Sequence, residues 1–323
     1  MDCLKGGPVY NKMSLYQSVV NYLYRYPKGA WKQLQRNGGL VNSLTIARAK
    51  ADMQKASLAL DLSGIIKPSV NTSHLYFLTG KKYWYQTAFC LKSLLLTTQN
   101  EVSSTIVDDG TMDEFWVNKI KHHCPNIGIE RHLNVEERLN KDLPESRYPF
   151  LRKKRLVYPH LKKLTDIHVG KTGYKMVLDS DMLFYREPNA VLEWLKKPTK
   201  PFHLVDVVSS YGYSQSLMES LCGKPIPERI NVGLIGLNSA AIDWEKVEYW
   251  GKNLEAKEGT SYFLEQALTA MIIGDSEAVV GPADQYIVMP NKEEVFHPTA
   301  VLHHYVDISK EWYFKHAWRR FIQ

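Results

Sequence analysis

Apolar residues recur at three-to-four spacing from Ser14 to Tyr26 and again from about Val41 to Leu62, with breaks at Pro27-Lys28-Gly29 and Asn37-Gly38-Gly39. That period predicts a small helical region over residues 1–70. Residues 65–73 (IIKPSVNTS) read as a linker. Beyond it the texture changes to short apolar runs separated by helical stretches, which predicts an α/β sheet over residues 71–323. The first run, His74 to Thr79, stops at Gly80 and leads into a helix through Leu96. The second, Ser104 to Val107, breaks at Asp108-Asp109-Gly110 and leads into a helix from Met112 to His123. This β-α-β-α opening is of the nucleotide-binding kind. Ligands of open α/β sheets sit at the carboxyl ends of the strands, so Thr79, Gly80, Asp108 and Asp109 are expected to face a nucleotide. The polar stretches Asn134 to Phe150 and Ser209 to Glu228 are expected to be lids over it.

Charge sharpens this division. The formal net charge is +7, yet residues 1–70 hold ten Lys+Arg against three Asp+Glu, which leaves 31 of each sign for the rest of the chain. A nucleic-acid reader would carry a basic stripe near its motifs, so no nucleic-acid partner is expected. A basic, tyrosine-rich leader instead suits peripheral contact with an anionic membrane, or it packs as a helical appendage. No run reaches the roughly 18–20 apolar residues of a membrane span, and no secretory signal is visible, which predicts a cytoplasmic protein. Cys3, Cys90, Cys124 and Cys222 are far apart with no CxxC pair, so reduced thiols are expected rather than a zinc site or a disulfide framework.

The sharpest chemical feature is Lys175 to Tyr185, KMVLDSDMLFY, an apolar strand interrupted by Asp179-Ser180-Asp181. Two carboxylates one residue apart on a strand point to the same side and can share one hard cation. A nucleotide diphosphate would supply the cation's other oxygens. Asp-x-Asp also opens phosphohydrolases of the haloacid-dehalogenase type, but there it begins the domain and is followed closely by Thr. Here it follows two β-α units and is trailed by Met182-Leu183.

Other motifs keep it company: Arg155-Leu156 upstream, Arg229 to Asn238 (RINVGLIGLN) downstream, then Glu265-Gln266, then His304 with Lys310 and Trp312. In this order the set resembles retaining glycosyltransferases of family eight, the group of glycogenin and the bacterial galactosyltransferases, over about residues 74–318. Those enzymes show Arg-Leu before an aliphatic strand ending in Asp-x-Asp, then Phe-Asn-x-Gly-Val, Asp-Gln, and His-x-x-Gly-x-x-Lys-Pro-Trp. The chain departs from the pattern at Asp307, where glycine is usual, at Glu311 in place of proline, and at Glu265 in place of aspartate. Gly80-Lys81-Lys82 stands where an asparagine and an acid usually lie near the base.

The resemblance implies a GT-A fold and transfer of a hexose, with retention, from a UDP-sugar to a saccharide, lipid-linked or protein acceptor. Asp179, Asp181 and His304 would bind Mn²⁺ or Mg²⁺, imidazole being more at home on manganese. His303 is the competitor for the third ligand position. Lys310 and Arg155 would hold the departing diphosphate, with Ser180 beside it. Gln266 and Glu265 would steady the reacting sugar, and Asn231 would hydrogen-bond hydroxyls near Asp206. The changes at Asp307, Glu311 and Glu265 leave a non-catalytic sugar-nucleotide or polysaccharide binder as the alternative.

Overall fold

The structure, a computed structural model, describes residues 34–69 and 72–322. The helix expected over Ser14–Tyr26 and the aromatic residues of the leader lie outside them. The chain divides into two compact units, Met1–Ala49 and Lys50–Gln323. The boundary expected at residue 70 therefore lies inside the larger unit. The reason is local: Leu60, Leu62 and Ile65 are buried. Ile65 also bridges Val102, and the Ile66 amide donates to the Val102 carbonyl. The segment read as a linker thus begins as part of the sheet edge. Helix α1 (Leu40–Ala56) is the second of the two helices expected at the N-terminus.

The larger unit is a mixed α/β fold. Its main sheet holds β1 (Ser73–Thr79), β2 (Val102–Asp108), β3 (Gly128–Glu130), β4 (Tyr174–Leu178), β6 (Phe202–Val205), β7 (Ile230–Asn238) and β8 (Val279–Val280), in the order β3-β2-β1-β4-β7-β6-β8. The first four are parallel, with Thr79 in register with Asp108. β7 runs antiparallel to both β4 and β6. β2 and β7 are buried along nearly their whole length, as strands covered on both faces must be. A second sheet of three strands joins β5 (Met182–Phe184), β10 (Leu302–His304) and β9 (Tyr286–Val288) in the order β5-β10-β9.

Helices fill the faces. α2 (Trp84–Thr97) is buried from Trp84 through Leu91, so it reads as apolar on all sides. α3 (Glu114–His123) starts where the Asp113 side chain accepts from the Trp116 amide, an N-cap worth about 1 kcal/mol. The two stretches expected to be lids instead contain α4 (His132–Asp142) and α8 (Gln215–Cys222). Val135 and Leu139 on the first, and Met218 on the second, enter the core. Burying each such side chain stabilises by about 1.5–3 kcal/mol, which holds these segments to the body of the protein. α5 (Pro149–Val157), α6 (Leu161–His168), α7 (Asn189–Lys196), α9 (Trp244–Glu258), α10 (Leu264–Ile273), α11 (Lys292–Phe296) and α12 (Lys310–Lys315) complete the layers. Among the described residues no helix is long and apolar enough to cross a membrane.

Candidate metal centre

Asp179-Ser180-Asp181 is where the chain leaves the main sheet for the small one: β4 ends at Leu178 and β5 begins at Met182. The two carboxylates therefore sit on a bend between strands rather than on one face of a continuous strand. Their convergence comes from how that bend is tied. The Asp179 amide donates to the Gly233 carbonyl at 2.6 Å, and the Asp181 carbonyl accepts from the Tyr305 amide at 2.9 Å. The second bond belongs to the antiparallel pairing of β10 with β5, which sets His304 opposite Met182. His304 Nε2 consequently lies 3.7 Å from Asp179 Oδ2 and 3.5 Å from Asp181 Oδ1. Each of the three side chains offers one ligand atom, and those atoms lie within 4.8 Å of one another.

The surroundings prepare His304 as a ligand. A Cβ at position 233 would collide with the imidazole, so only glycine lets β7 pass this close. Asn231 Oδ1 accepts from the Gly233 amide at 3.0 Å and pairs with His304 Nδ1 at 3.0 Å. Asn231 Nδ2 donates to Asp206 Oδ2 at 3.3 Å. An amide oxygen only accepts, so His304 Nδ1 donates to Asn231, and Nε2 is the ring atom that faces the carboxylates and would ligate a cation. Two hard oxygens and one imidazole nitrogen in this arrangement fit a divalent cation of the Mn²⁺ or Mg²⁺ kind. The Asn231 side chain thus bonds both His304 and Asp206. His303, one residue earlier on β10, points the other way, to Glu294 Oε1 at 2.9 Å and the Tyr305 hydroxyl at 3.0 Å.

Two lysines flank the carboxylates. Lys310 Nζ lies 3.0 Å from Asp181 Oδ2, and Asp181 raises its pKa. Burial would raise the pKa of Asp181, but the charges around it, Lys310 foremost, hold the carboxyl below the usual range. On the other side is Lys163 of α6, only 8% exposed. It donates to Asp179 Oδ1 at 2.9 Å and to the Val232 carbonyl at 2.8 Å. Burial lowers its pKa and the carboxylates of Asp179 and Glu265 raise it by more, so the ammonium stays charged. Glu265, on the first turn of α10, is 3.7 Å from the same ammonium. Burial, reinforced by Asp179, lifts its pKa to about 7 against the pull of Lys163. The shorter contact shows that Lys163 belongs first to Asp179. Gln266 is buried beside Glu265, and its Nε2 donates to Asp206 Oδ2 at 3.1 Å.

Other expected ligands are elsewhere or otherwise engaged. Arg155 is 1% exposed. It clasps Asp166 through Nε and Nη2, at 2.8 and 2.6 Å, and Glu136 through Nη1 at 2.6 Å. It is therefore not a diphosphate ligand. Asp108 is buried and turns inward: its Oδ1 accepts from the amides of Gly110, Thr111 and Met112, so it closes the β2–α3 turn. Asp109 Oδ1 accepts from the Thr111 amide and hydroxyl. Gly80 abuts that side chain, where a Cβ would clash. Thr79 is buried, and a hydroxyl chain runs from it through Thr87, at 3.1 Å, to Ser180, at 2.7 Å. That chain ties α2 to the Asp-Ser-Asp bend.

Lys163 is the member of this cluster that sequence reading missed. Its signal was present, because Lys163-Leu164 is a basic residue followed by leucine ahead of the same strand, and it stands at the site as Arg155-Leu156 does not. Asp307, between His304 and Lys310, has φ +49°. The position at which the resemblance expects glycine thus keeps the left-handed backbone that glycine favours.

No protein-family model matches the chain, and no curated protein matches it either. Among solved structures the chain is similar to mouse xyloside xylosyltransferase 1 in its apo form. That match has 14% identity, covers 72% of this chain and 96% of that one, and has a TM-score of 0.46. It is also similar to the galactosyltransferase LgtC in complex with donor and acceptor sugar analogs, at 14% identity, 77% and 93% coverage and a TM-score of 0.49. A third likeness is to the WbbM bifunctional glycosyltransferase, at 12% identity, 80% and 53% coverage and a TM-score of 0.48. What the chain does is read from its own site residues.

Proposed function

We propose that the protein is a metal-dependent glycosyltransferase of the GT-A type that moves a hexose from a nucleotide-diphosphate donor, with uracil as the expected base, to an acceptor hydroxyl. The observation that carries this reading is the meeting of Asp179, Asp181 and His304 at the carboxyl end of β4, with the imidazole held in orientation by Asn231. Three ligands from two sheets leave the remaining coordination positions to the oxygens of a diphosphate. When bound there, a divalent cation neutralises charge on the leaving diphosphate.

The chain's own groups divide the rest of the work. Lys310 supplies a cation to the diphosphate as charge develops on it. Lys163 holds Asp179 in place and offsets negative charge from below. Glu265 and Gln266, on the first turn of α10, are assigned to the sugar, steadying an oxocarbenium-like state on its far face. Retention of anomeric configuration is proposed from the family resemblance.

Calorimetry tests the reading. Uridine diphosphate is expected to bind in Mn²⁺ and to lose its affinity in EDTA, because the two aspartates would then repel it at close range. Equal affinity in the two buffers overturns the proposal. Proton NMR of early product checks the stereochemistry, and an anomer opposite to that of the donor rules out retention.

A further inference from the structure

On the face of the small sheet opposite His304, polar side chains form a continuous hydrogen-bonded chain. Side chains alternate along β10, so His303 stands away from the cation site, and Tyr305, just past the strand, stands on the same side as His303. A carboxylate only accepts, so His303 Nε2 donates to Glu294 Oε1, at 2.9 Å. His303 Nδ1 lies 3.0 Å from the Tyr305 hydroxyl, which lies 2.7 Å from the hydroxyl of Tyr185, one residue past the end of β5. The Glu294 carboxylate, on α11, also accepts from the Thr299 amide and hydroxyl, both at 2.7 Å, and from the Ala300 amide at 2.9 Å. It thereby fixes the chain as it enters β10. His303 and Tyr305 are wholly buried. Buried polar groups cost stability unless they are bonded, and a fully bonded set specifies one arrangement of the elements it joins.

The elements joined are the ones that carry the candidate ligands. β5 follows directly on Asp179-Ser180-Asp181, and β10 ends in His304. Three residue pairs hold these two strands together. A slip of one residue in so short a ladder would turn the His304 imidazole away from both aspartates. His303, bonded on the other face to Glu294 and Tyr305, opposes that slip, and the Tyr305 amide is itself tied to the Asp181 carbonyl.

We propose that Glu294, His303, Tyr305 and Tyr185 are positioning residues for the cation: their hydrogen-bonded chain braces β10 against β5 and so sets His304 Nε2 against Asp179 and Asp181. The proposal rests on the cation site of the transferase reading above and deepens it. His303 thus acts through His304 and touches no cation itself.

The test is calorimetric titration of the full chain with Mn²⁺, with circular dichroism to count folded molecules. Wild type is expected to bind. Tyr305→Phe keeps the ring and removes the central hydroxyl, and His303→Leu removes both bonds of the imidazole. Each should weaken Mn²⁺ binding by about tenfold or more, the scale of losing a group that orients a metal ligand. His303→Gln retains a nitrogen that can donate to Glu294 and an oxygen that can accept from Tyr305, so it should keep wild-type affinity. Arg155→Ala, which loosens the fold away from the brace, should keep it too, and this separates positioning from loss of stability. If His303→Leu does not fold, Tyr305→Phe decides. The brace alone is overturned if Tyr305→Phe binds Mn²⁺ as wild type does while Asp181→Asn does not, if His303→Gln loses affinity as fully as His303→Leu, or if Arg155→Ala loses it equally. Failure of wild type to bind Mn²⁺ overturns the cation site, and the brace with it.

Discussion

At Arg155 buried charges close on one another, whereas at Asp179 and Asp181 they are left with oxygens to spare. The Arg155 guanidinium uses both edges on Asp166 and Glu136, and the Thr165 hydroxyl completes Asp166 Oδ1 at 2.8 Å. Nothing there is available to a ligand. In the second cluster each cation touches one oxygen of a different aspartate, and His304 turns its Nε2 toward both. Both places pair carboxylates with cationic side chains. What separates scaffold from site is whether the hydrogen-bonding capacity is used up inside the protein.

The comparison breaks most visibly at Arg155. Arg155→Ala leaves the carboxylate of Asp166, whose side chain is wholly buried, without its main partner. A loss of about 3–5 kcal/mol is expected, the usual cost of removing one member of a buried pair, with Mn²⁺ and nucleotide affinity per folded molecule unchanged. Urea unfolding measures the first and calorimetry the second. A stable variant with weakened nucleotide binding would return Arg155 to the diphosphate.

Asp181→Asn makes the opposite change. The fold should survive, because Lys310, the partner it releases, is half exposed and open to solvent. Turnover should fall by at least about a hundredfold, as when a group that stabilises developing charge is lost. Normal circular dichroism with a near-normal rate would reduce Asp-Ser-Asp to a strand-ending bend.

The two clusters were not equally visible in the sequence, for physical reasons. Strands β1, β2 and β4 were legible because apolar runs end at Gly80, Asp108 and Asp179, and the bend that follows each faces the same end of the sheet. Asp179, Asp181 and His304 were legible as a set only because motif order supplied a contact between residues over a hundred positions apart. Lys163 was not, since one lysine in the LKKLTD stretch of an amphipathic helix looks solvated until β7 covers it. Arg155 failed in the reverse direction: a basic residue ahead of the strand looked like a phosphate ligand, and its partners Glu136 and Asp166 lie one helix before and one after it. Pairwise closure of that kind leaves no periodic trace.

Titration sharpens the contrast on the closed side of the molecule. His168 is buried on α6, with Nδ1 2.9 Å from the Ser239 hydroxyl. Burial, then Lys175 and Arg138, depresses its pKa to about 3. Its folded pKa lies below the unfolded value of about 6.5, so the unfolded chain binds a proton that the folded chain refuses. Stability should therefore fall as pH drops below about 6.5 and level off only near pH 3. The slope is up to about 1.4 kcal/mol per unit, or about 2 kcal/mol at pH 5. Burial lowers His74 to about 4, which acts in the same direction. Urea midpoints at pH 7 and pH 5 should differ in the wild type and by less in His168→Gln. Equal losses in the two proteins would assign the acid sensitivity to other groups.

The smallest effect concerns the loop that carries two of the open cluster's groups. Asp307 lies between His304 and Lys310 with φ +49°, and its carbonyl accepts from the Lys310 amide. Aspartate tolerates this left-handed backbone better than most residues, and a β-branched side chain does not. Asp307→Val should therefore cost about 1–2 kcal/mol, and the strain should appear where the loop is anchored. Since the displaced group is Lys310, nucleotide affinity in Mn²⁺ should fall while affinity for Mn²⁺ alone, set by Asp179, Asp181 and His304, is kept. Asp307→Gly accepts the same φ without a Cβ and should keep both affinities. The pair separates backbone from side chain: if glycine and valine impair nucleotide binding alike, the Asp307 carboxylate itself matters and the glycine-like conformation is incidental.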